Sequence, residues 1–195
     1  NLLCETEKAS SCGSLPIELQ TTKNIFALMF LLRGIPFVDL AYLRKADIQG
    51  NTLKYRRRKT GRLLTVMLTP DAIKLIRIVA KTKPESPYLF PFLSSPEGTE
   101  AAYHEYQSSL RMFNYRLSRL KKYMKTAAHL SSYTIRHTWA TMAYYCEIHP
   151  GIISEAMGHS SIKVTETYLK PFQNEKIDNA NSQVISYVKE YASIV

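Results

Sequence analysis

At 195 residues, with 45% hydrophobic and 11% aromatic residues and only 7 Gly and 9 Pro, the chain falls outside the collagenous, low-complexity and disordered classes. Its length fits about one domain, on a prior of roughly 150 residues per domain. Lys plus Arg numbers 26 against 16 Asp plus Glu, a formal net charge of +10, which suits a polyanion or an anionic surface.

In chain order, residues 1–14 are polar, carry Ser, Gly and Cys without an apolar period, and read as the end of a linker. From Leu15 to Leu32 the pattern is helical, with Ile25, Leu28, Met29 and Leu32 at i, i+3, i+4 and i+7 and Gly34 as its stop. The longest apolar run, Ile25 to Leu32, is eight residues against the roughly 20 of a membrane helix, so a buried helix and no membrane partner are expected. Pro36 suits the first turn of a second helix, with Phe37, Leu40 and Leu43 or Tyr42 inward, which sets Arg33 at a corner between helices. From Asp47 the period changes to two. Gln49-Gly50-Asn51 and Lys59-Thr60-Gly61 are turns around alternating runs, Leu53 to Arg58 and Leu63 to Leu68, which predicts a small antiparallel sheet.

Thr69-Pro70-Asp71 opens a helix with Ile73, Ile76 and Ala80 on one face, ended by Lys83-Pro84. After a loop from Pro91 to Gly98, one long helix has Tyr103, Tyr106, Leu110, Phe113, Leu117, Leu120, Met124 and Ala127 as its seam. A basic outer face carries Arg111, Arg116, Arg119, Lys121, Lys122 and Lys125. A further helix follows Ser131-Ser132 with Ile135, Trp139, Met142 and Cys146 on one face. Then come a short helix from Pro150 to Met157 with a Gly158-His159 stop and a Ser160-capped helix to Tyr168. A last amphipathic helix at about 174–191, beyond Pro171, carries Ile177, Ala180, Val184, Val188 and Tyr191. The sum is a mainly α fold with one small antiparallel sheet (α+β).

Cys4, Cys12 and Cys146 are an odd set without ligand-like spacing to histidines, which fits a reducing, cytoplasmic compartment and neither a disulfide framework nor a zinc site. The chain opens at Asn1 with neither methionine nor a basic-then-apolar leader, so it reads as a piece of something longer.

The stretch Arg44 to Arg62 holds Arg44, Lys45, Lys54, Arg56, Arg57, Arg58, Lys59 and Arg62 against one acid, Asp47. With Tyr55 interleaved and a second cluster at Lys121, Lys122 and Lys125, a nucleic-acid backbone surface outweighs a merely solvated face. Arg56, Arg57, Arg58, Arg62, Lys121, Lys122 and Lys125 are the expected backbone contacts. Zinc-finger spacing, a heptad-plus-basic region and a Gly-rich phosphate loop are all missing, so the sequence says little about base readout.

The sharper signal is Tyr133-Thr134-Ile135-Arg136-His137-Thr138-Trp139-Ala140-Thr141, then Met157-Gly158-His159, then Tyr168 nine residues later. Each alone has an ordinary reading: Arg136 as a surface salt-bridger, His159 as a helix cap, Tyr168 as half-buried core. In this order, with Arg33 at an earlier corner and Lys59 on a hairpin turn, they resemble the catalytic domain of the tyrosine recombinases, the phage integrase family. The resemblance runs from about Leu15 to Tyr191 and implies a separate core-binding domain upstream of Asn1.

What the resemblance implies is cleavage of one DNA strand at a time through a covalent tyrosyl phosphate, with neither metal nor cofactor. Tyr168 would be the nucleophile, leaving a 3'-phosphotyrosine and a free 5'-hydroxyl. Arg33 and Arg136 would hold the non-bridging oxygens with planar guanidinium forks. Lys59 would protonate the departing 5'-oxygen, and His159 would hydrogen-bond a phosphate oxygen. The implied partners are double-stranded DNA, further copies of the chain in a tetramer on that DNA, and DNA-bending accessory proteins.

Two positions depart from the family pattern. Tyr133 stands where a histidine is usual, three residues before Arg136, and a phenol with an ordinary pKa of about 10 is a poor base near neutrality. Either Tyr133 only positions the phosphate, which is the favoured reading, or His129 or His137 stands in as base. The family's acid falls at Asp39, six residues after Arg33 rather than three, and is expected to orient the site. Tyrosine in the histidine place resembles the branch carried on integrative and conjugative elements. The last helix either folds back on its own domain or docks in a neighbouring copy. Two rivals share these residues: a catalytically silent DNA-binding module of the same fold, and a topoisomerase of the related tyrosine class (type IB).

Overall fold

The computed structural model describes residues 15–80, 82, 84–168 and 174–192; the expected linker end at residues 1–14 lies outside them. Helix α1 (Ile17–Leu31) buries Leu19, Thr22, Ile25, Leu28 and Met29. Thr22 is tolerated there because its hydroxyl donates to the Glu18 carbonyl at 2.8 Å. A tight corner follows, in which Arg33 and Gly34 both take positive φ, +60° and +65°. The corner is closed by Arg33 N–H on the Phe30 carbonyl and Ile35 N–H on the Met29 carbonyl. It delivers the chain to α2 (Phe37–Ala41), whose Phe37 stacks on Phe113 at 4.9 Å between ring centroids.

The sheet is a three-stranded antiparallel meander, β1 (Ile48–Gln49), β2 (Thr52–Arg56) and β3 (Leu63–Met67), in the order β1-β2-β3. Leu53 pairs with Val66 and Tyr55 with Leu64, so those four side chains share the buried face. The alternation expected to run on to Arg58 breaks at Arg57, which is 5% exposed and turned into the protein.

Helix α3 (Pro70–Val79) is capped by Thr69, whose hydroxyl accepts from Ala72 N–H at 3.2 Å, with Pro70 in the first turn. The loop before α4 is held by Glu105, which takes backbone and hydroxyl hydrogens from Ser94 and Ser95. Helix α4 (Glu100–Tyr123) buries Ala102, Phe113, Leu117 and Leu120. It ends earlier than its seam suggests: Lys125 has φ +50°, and Tyr103 and Met124 are exposed. Helices α1, α3 and α4 and the buried sheet face enclose the main core, with α1 against both other helices.

Helix α5 (Thr134–Tyr145) corrects the expected face. Its buried residues are Ile135, Arg136, Ala140 and Ala143, whereas Met142 and Cys146 are exposed. The buried stripe is rotated because α5 carries Arg136 inward, while its small Ala140 and Ala143 cluster with Ile153 and Met157 of α6 (Pro150–Met157). Gly158 ends α6 in the left-handed conformation, φ +65°. Helix α7 (Ile162–Glu166) starts after Ser161 rather than Ser160, with no capping hydrogen bond from the Ser161 side chain, and stops before Tyr168, which lies in the following turn. A second, smaller cluster joins Ala140, Ala143, Ile153 and Met157 with Trp139, Tyr144 and Tyr168 around it.

Helix α8 (Asn174–Ala192) does not fold back: Ile177, Val184, Ile185 and Val188 are all exposed. Near its start, Lys176 Nζ donates to the Tyr145 carbonyl and to Glu147, both at 3.2 Å. Among the described residues, no helix is long and apolar enough to cross a membrane.

Candidate active site

The corner after α1 sits directly against α5. A Cβ on Gly34 would come within 3.0 Å of the Arg136 Cα and 3.2 Å of the Trp139 Cβ, so only glycine permits this approach. Arg136, 4% exposed, donates from Nη1 to the Gly34 carbonyl at 3.0 Å and from Nη2 to the Met157 carbonyl at 2.6 Å. One guanidinium thus ties the α1 corner to the end of α6. Arg33 next to it is held at a positive φ, an arrangement costing about 1 kcal/mol or more for a residue with a Cβ.

The hairpin between β2 and β3 reaches the same place from the other side. Asp39, 2% exposed, accepts from Arg57 Nη1 at 2.5 Å and from the Arg58 backbone N–H at 3.0 Å. This buried pair fixes the start of the turn that carries Lys59, which is exposed. Beyond Lys59, Thr60 Oγ1 donates to the Gly158 carbonyl at 3.1 Å, and Arg62 Nη1 donates to the His159 carbonyl. A Cβ on Gly158 would lie 2.8 Å from Arg57 Cγ and 3.1 Å from Leu64 Cδ1, so hairpin and α6 terminus are in contact.

His159 is 3% exposed; its Nδ1 is 2.8 Å from Thr165 Oγ1, and its Nε2 is buried without a partner. Burial, and then the charges of Arg136, Arg57 and Lys59, push its pKa down to about 4. The ring is neutral near pH 7, and three cations lie close enough to enforce that.

Tyr168 is half-buried and surrounded by rings. His159 stacks on it at 5.2 Å and 20°, and His137 lies at 4.3 Å between centroids. The Tyr133 hydroxyl is 3.3 Å from the Tyr168 hydroxyl. That hydrogen bond, with burial, raises the Tyr133 pKa above its ordinary value, so Tyr133 keeps its proton near neutrality. Arg136 also acts on Tyr168: burial and Arg57 lower the Arg136 pKa, and the Tyr168 hydroxyl opposes them. His137 is depressed by burial and by Arg136. His129 is elsewhere, lining a groove between α1, α4 and α5.

Of the six residues expected to carry chemistry, Tyr133, Arg136, His159 and Tyr168 converge directly. Lys59 is linked to them by its charge on His159, and Arg33 by the chain corner that receives Arg136. Arg57 corrects an expectation: rather than an exposed backbone contact it is buried on Asp39, because that carboxylate needs a partner. Arg56, Arg58 and Arg62 are exposed on the hairpin, with Arg58 paired to Glu97 and 3.8 Å over the Tyr42 ring. Lys122 and Lys125 are exposed and Lys121 half-buried at the end of α4. Tyr55, in sequence only an aromatic interleaved among basic residues, is buried. Its phenol, raised by burial and Asp39, feels Arg57, Arg136 and Arg33, so it underlies the cationic pocket. Thr165 carries no signal in its spacing. Among the described residues, no group of three or more His, Cys, Asp or Glu converges as metal ligands.

The phage integrase family matches residues 14–175, and the chain belongs to that family. No curated protein sequence matches it closely. Among solved structures it is similar to XerA recombinase, at 16% identity over 90% of this chain and 66% of that one, with a TM-score of 0.58. It is also similar to the Tn1549 transposon integrase in complex with circular intermediate DNA, at 15% identity over 91% of this chain and 68% of that one, with a TM-score of 0.61. XerH site-specific recombinase bound to palindromic difH substrate gives 16% identity, 87% and 47% coverage and a TM-score of 0.59. These likenesses establish the fold, and the chain spans about two thirds of the first two proteins and half of the third.

Proposed function

We propose that this chain is the catalytic domain of a site-specific DNA recombinase that cleaves and rejoins strands through a 3'-phosphotyrosyl link at Tyr168, to integrate or excise a mobile element. The observation that carries the reading is the seating of Tyr168 against Tyr133, His137, His159 and Arg136, inside a pocket whose other charges are Arg33, Arg57 and Lys59.

A phosphodiester under attack gains negative charge on its non-bridging oxygens, and preorganised cations stabilise that charge more than they stabilise the ground state. Arg136 is preorganised by its two carbonyl acceptors and Arg33 by its fixed corner. As the Tyr168 oxygen attacks phosphorus it gives up its phenolic proton to solvent, and the bond from phosphorus to the 5'-oxygen breaks as that oxygen takes a proton from Lys59, whose hairpin is anchored by Asp39 and Thr60. Tyr133, protonated and 3.3 Å from the Tyr168 oxygen, positions the nucleophile and phosphate rather than acting as base. The bond energy stays in the phosphotyrosyl link, so a 5'-hydroxyl of another strand can attack it and rejoin DNA without a nucleotide cofactor. Double-stranded DNA is bound through Arg56, Arg58, Arg62, Lys121, Lys122 and Lys125, with copies of the chain assembled as a tetramer and accessory proteins bending the DNA. The exposed apolar side of α8 is the segment offered to the neighbouring copy.

The test is covalent trapping at low salt with nicked, end-labelled DNA of candidate sites, using a chain that includes the upstream region. A denaturation-resistant protein–DNA adduct is expected from the native chain and none from Tyr168→Phe, with DNA binding retained in both. Binding without an adduct in the native chain would overturn the reading in favour of a DNA-binding module.

A further inference from the structure

We propose that Thr165 is a positioning residue that fixes His159 as its Nε2–H tautomer, so that this ring meets a phosphate oxygen as a neutral hydrogen-bond donor. The donor's ligand rests on the recombinase reading; the tautomer does not.

The geometry leaves two arrangements. Thr165 Oγ1 and His159 Nδ1 are 2.8 Å apart, both residues are buried, and Thr165 is wholly inaccessible to solvent. Among the described residues, this contact is the one hydrogen bond of the Thr165 side chain. If Nδ1–H donated to Oγ1, the hydroxyl hydrogen of a fully buried threonine would have no acceptor, which costs about 1–3 kcal/mol. Threonines that do reach back to a helix carbonyl are found elsewhere in the chain, at Thr22 and Thr138, and Thr165 is not among them. If the hydroxyl donates to the Nδ1 lone pair, every hydrogen of the contact is used. The ring proton then sits on Nε2, the buried nitrogen that has no partner in the protein.

An unpartnered donor buried beside Arg136, Arg57 and Lys59 is a poor neighbour for those cations and a good one for an anion that they hold. With Nε2 unprotonated, its lone pair would face the lone pairs of a phosphate oxygen. With the ring doubly protonated, its charge would lie among three others, which burial and those charges oppose. The neutral Nε2–H form is therefore the one state compatible with both the Thr165 hydroxyl and a phosphate held by the cations. The hydroxyl also fixes the ring plane, which stacks on the nucleophile Tyr168.

The experiment is long-range proton–nitrogen NMR of the histidine rings in the uniformly nitrogen-15-labelled 195-residue chain near pH 7, with the His159 signals assigned by their loss in His159→Gln. The expected result is a protonated Nε2 and an unprotonated Nδ1, with inorganic phosphate shifting the Nε2–H signal. Thr165→Val should give a mixed or reversed tautomer and roughly tenfold weaker phosphate binding, one hydrogen bond's worth, and Thr165→Ser should restore both. A native ring protonated on Nδ1 overturns the proposal, and because it is read on the unmutated chain, it does not depend on how Thr165→Val folds. A Thr165→Val ring that keeps the native tautomer also overturns it. Failure of covalent trapping with the native tautomer intact would count against the recombinase reading while leaving the ring assignment standing.

Discussion

The two hydrophobic clusters differ in what they are for. The larger one wraps α1, the sheet, α3 and α4 around fully buried Leu28, Met29, Leu53 and Leu117. The smaller one, Ala140, Ala143, Ile153 and Met157, is thin, yet Tyr168 packs on it and Arg136 bonds to the carbonyl of Met157. The larger cluster supplies stability, and the smaller one seats Tyr168, the proposed nucleophile, whose geometry would matter to the reaction. What joins them is polar: Arg136 on Gly34, and Thr60 on Gly158, the latter on a hairpin that the buried Asp39–Arg57 pair holds in place.

The sharpest way to break that arrangement is at the joint. Asp39→Ala leaves the Arg57 guanidinium buried without its partner, and losing one member of a buried pair costs about 3–5 kcal/mol. The expected outcome in urea melts is a loss of stability at least as large as that of a leucine truncation in the main core, accompanied by disorder of the hairpin that carries Lys59. An Asp39→Ala midpoint close to native would mean that Arg57 finds water and the joint is not needed.

Next in size is the large cluster alone. Leu117→Ala removes a fully buried side chain and should cost about 3 kcal/mol, from lost transfer energy and the cavity left behind. Because Leu117 belongs to the large cluster and makes none of the site's hydrogen bonds, the cleavage rate of the folded fraction should stay near native. A rate that falls along with stability would show that the clusters are not separable.

The smaller cluster is sharpened by pH. The folded pKa of His159 is depressed to about 4 from an ordinary 6.5, so the unfolded chain binds more protons between those values. Stability is then full above about pH 6.5 and falls as pH drops toward 4, with His137 adding in the same direction. In His159→Gln most of that slope should vanish from a series of urea melts across this window. Phosphate should also flatten it, since a bound anion offsets the neighbouring cations. An unchanged slope in His159→Gln would assign the dependence to other groups.

The fold and the cast of the site are unevenly legible in the sequence, and the reasons are physical. The strands and the turns at Gly50 and Gly61 can be read because a period of two and glycines in turns are local signals. The order Arg33, Lys59, Arg136, His159, Tyr168 can be read as a family pattern. The face of α5 cannot, because apolar periodicity assumes that the buried stripe is apolar, whereas this helix turns a guanidinium inward to two carbonyls. Arg57 escapes for the same reason: in a run of three arginines nothing local says which one meets Asp39, 18 residues earlier in the chain. Thr165 and Tyr55 give no signal, since their roles depend on neighbours far away in sequence or on a ring's tautomer.

The smallest expected effect belongs to α8. Its apolar residues are already in water, Val184 at 61% and Val188 at 58% exposure, so replacing both by serine removes little buried area. The urea midpoint of the isolated chain should move by less than ~0.5 kcal/mol. If α8 serves a neighbouring copy in the assembled recombinase, the same double substitution should weaken assembly on DNA in a gel-shift titration while leaving single-copy binding intact, because the basic residues proposed to hold DNA lie on the hairpin and α4. A loss of stability in the isolated chain would show instead that α8 closes on its own domain in solution. No change in either assay would leave an exposed apolar stripe without a partner, and such a stripe in water is a liability for aggregation.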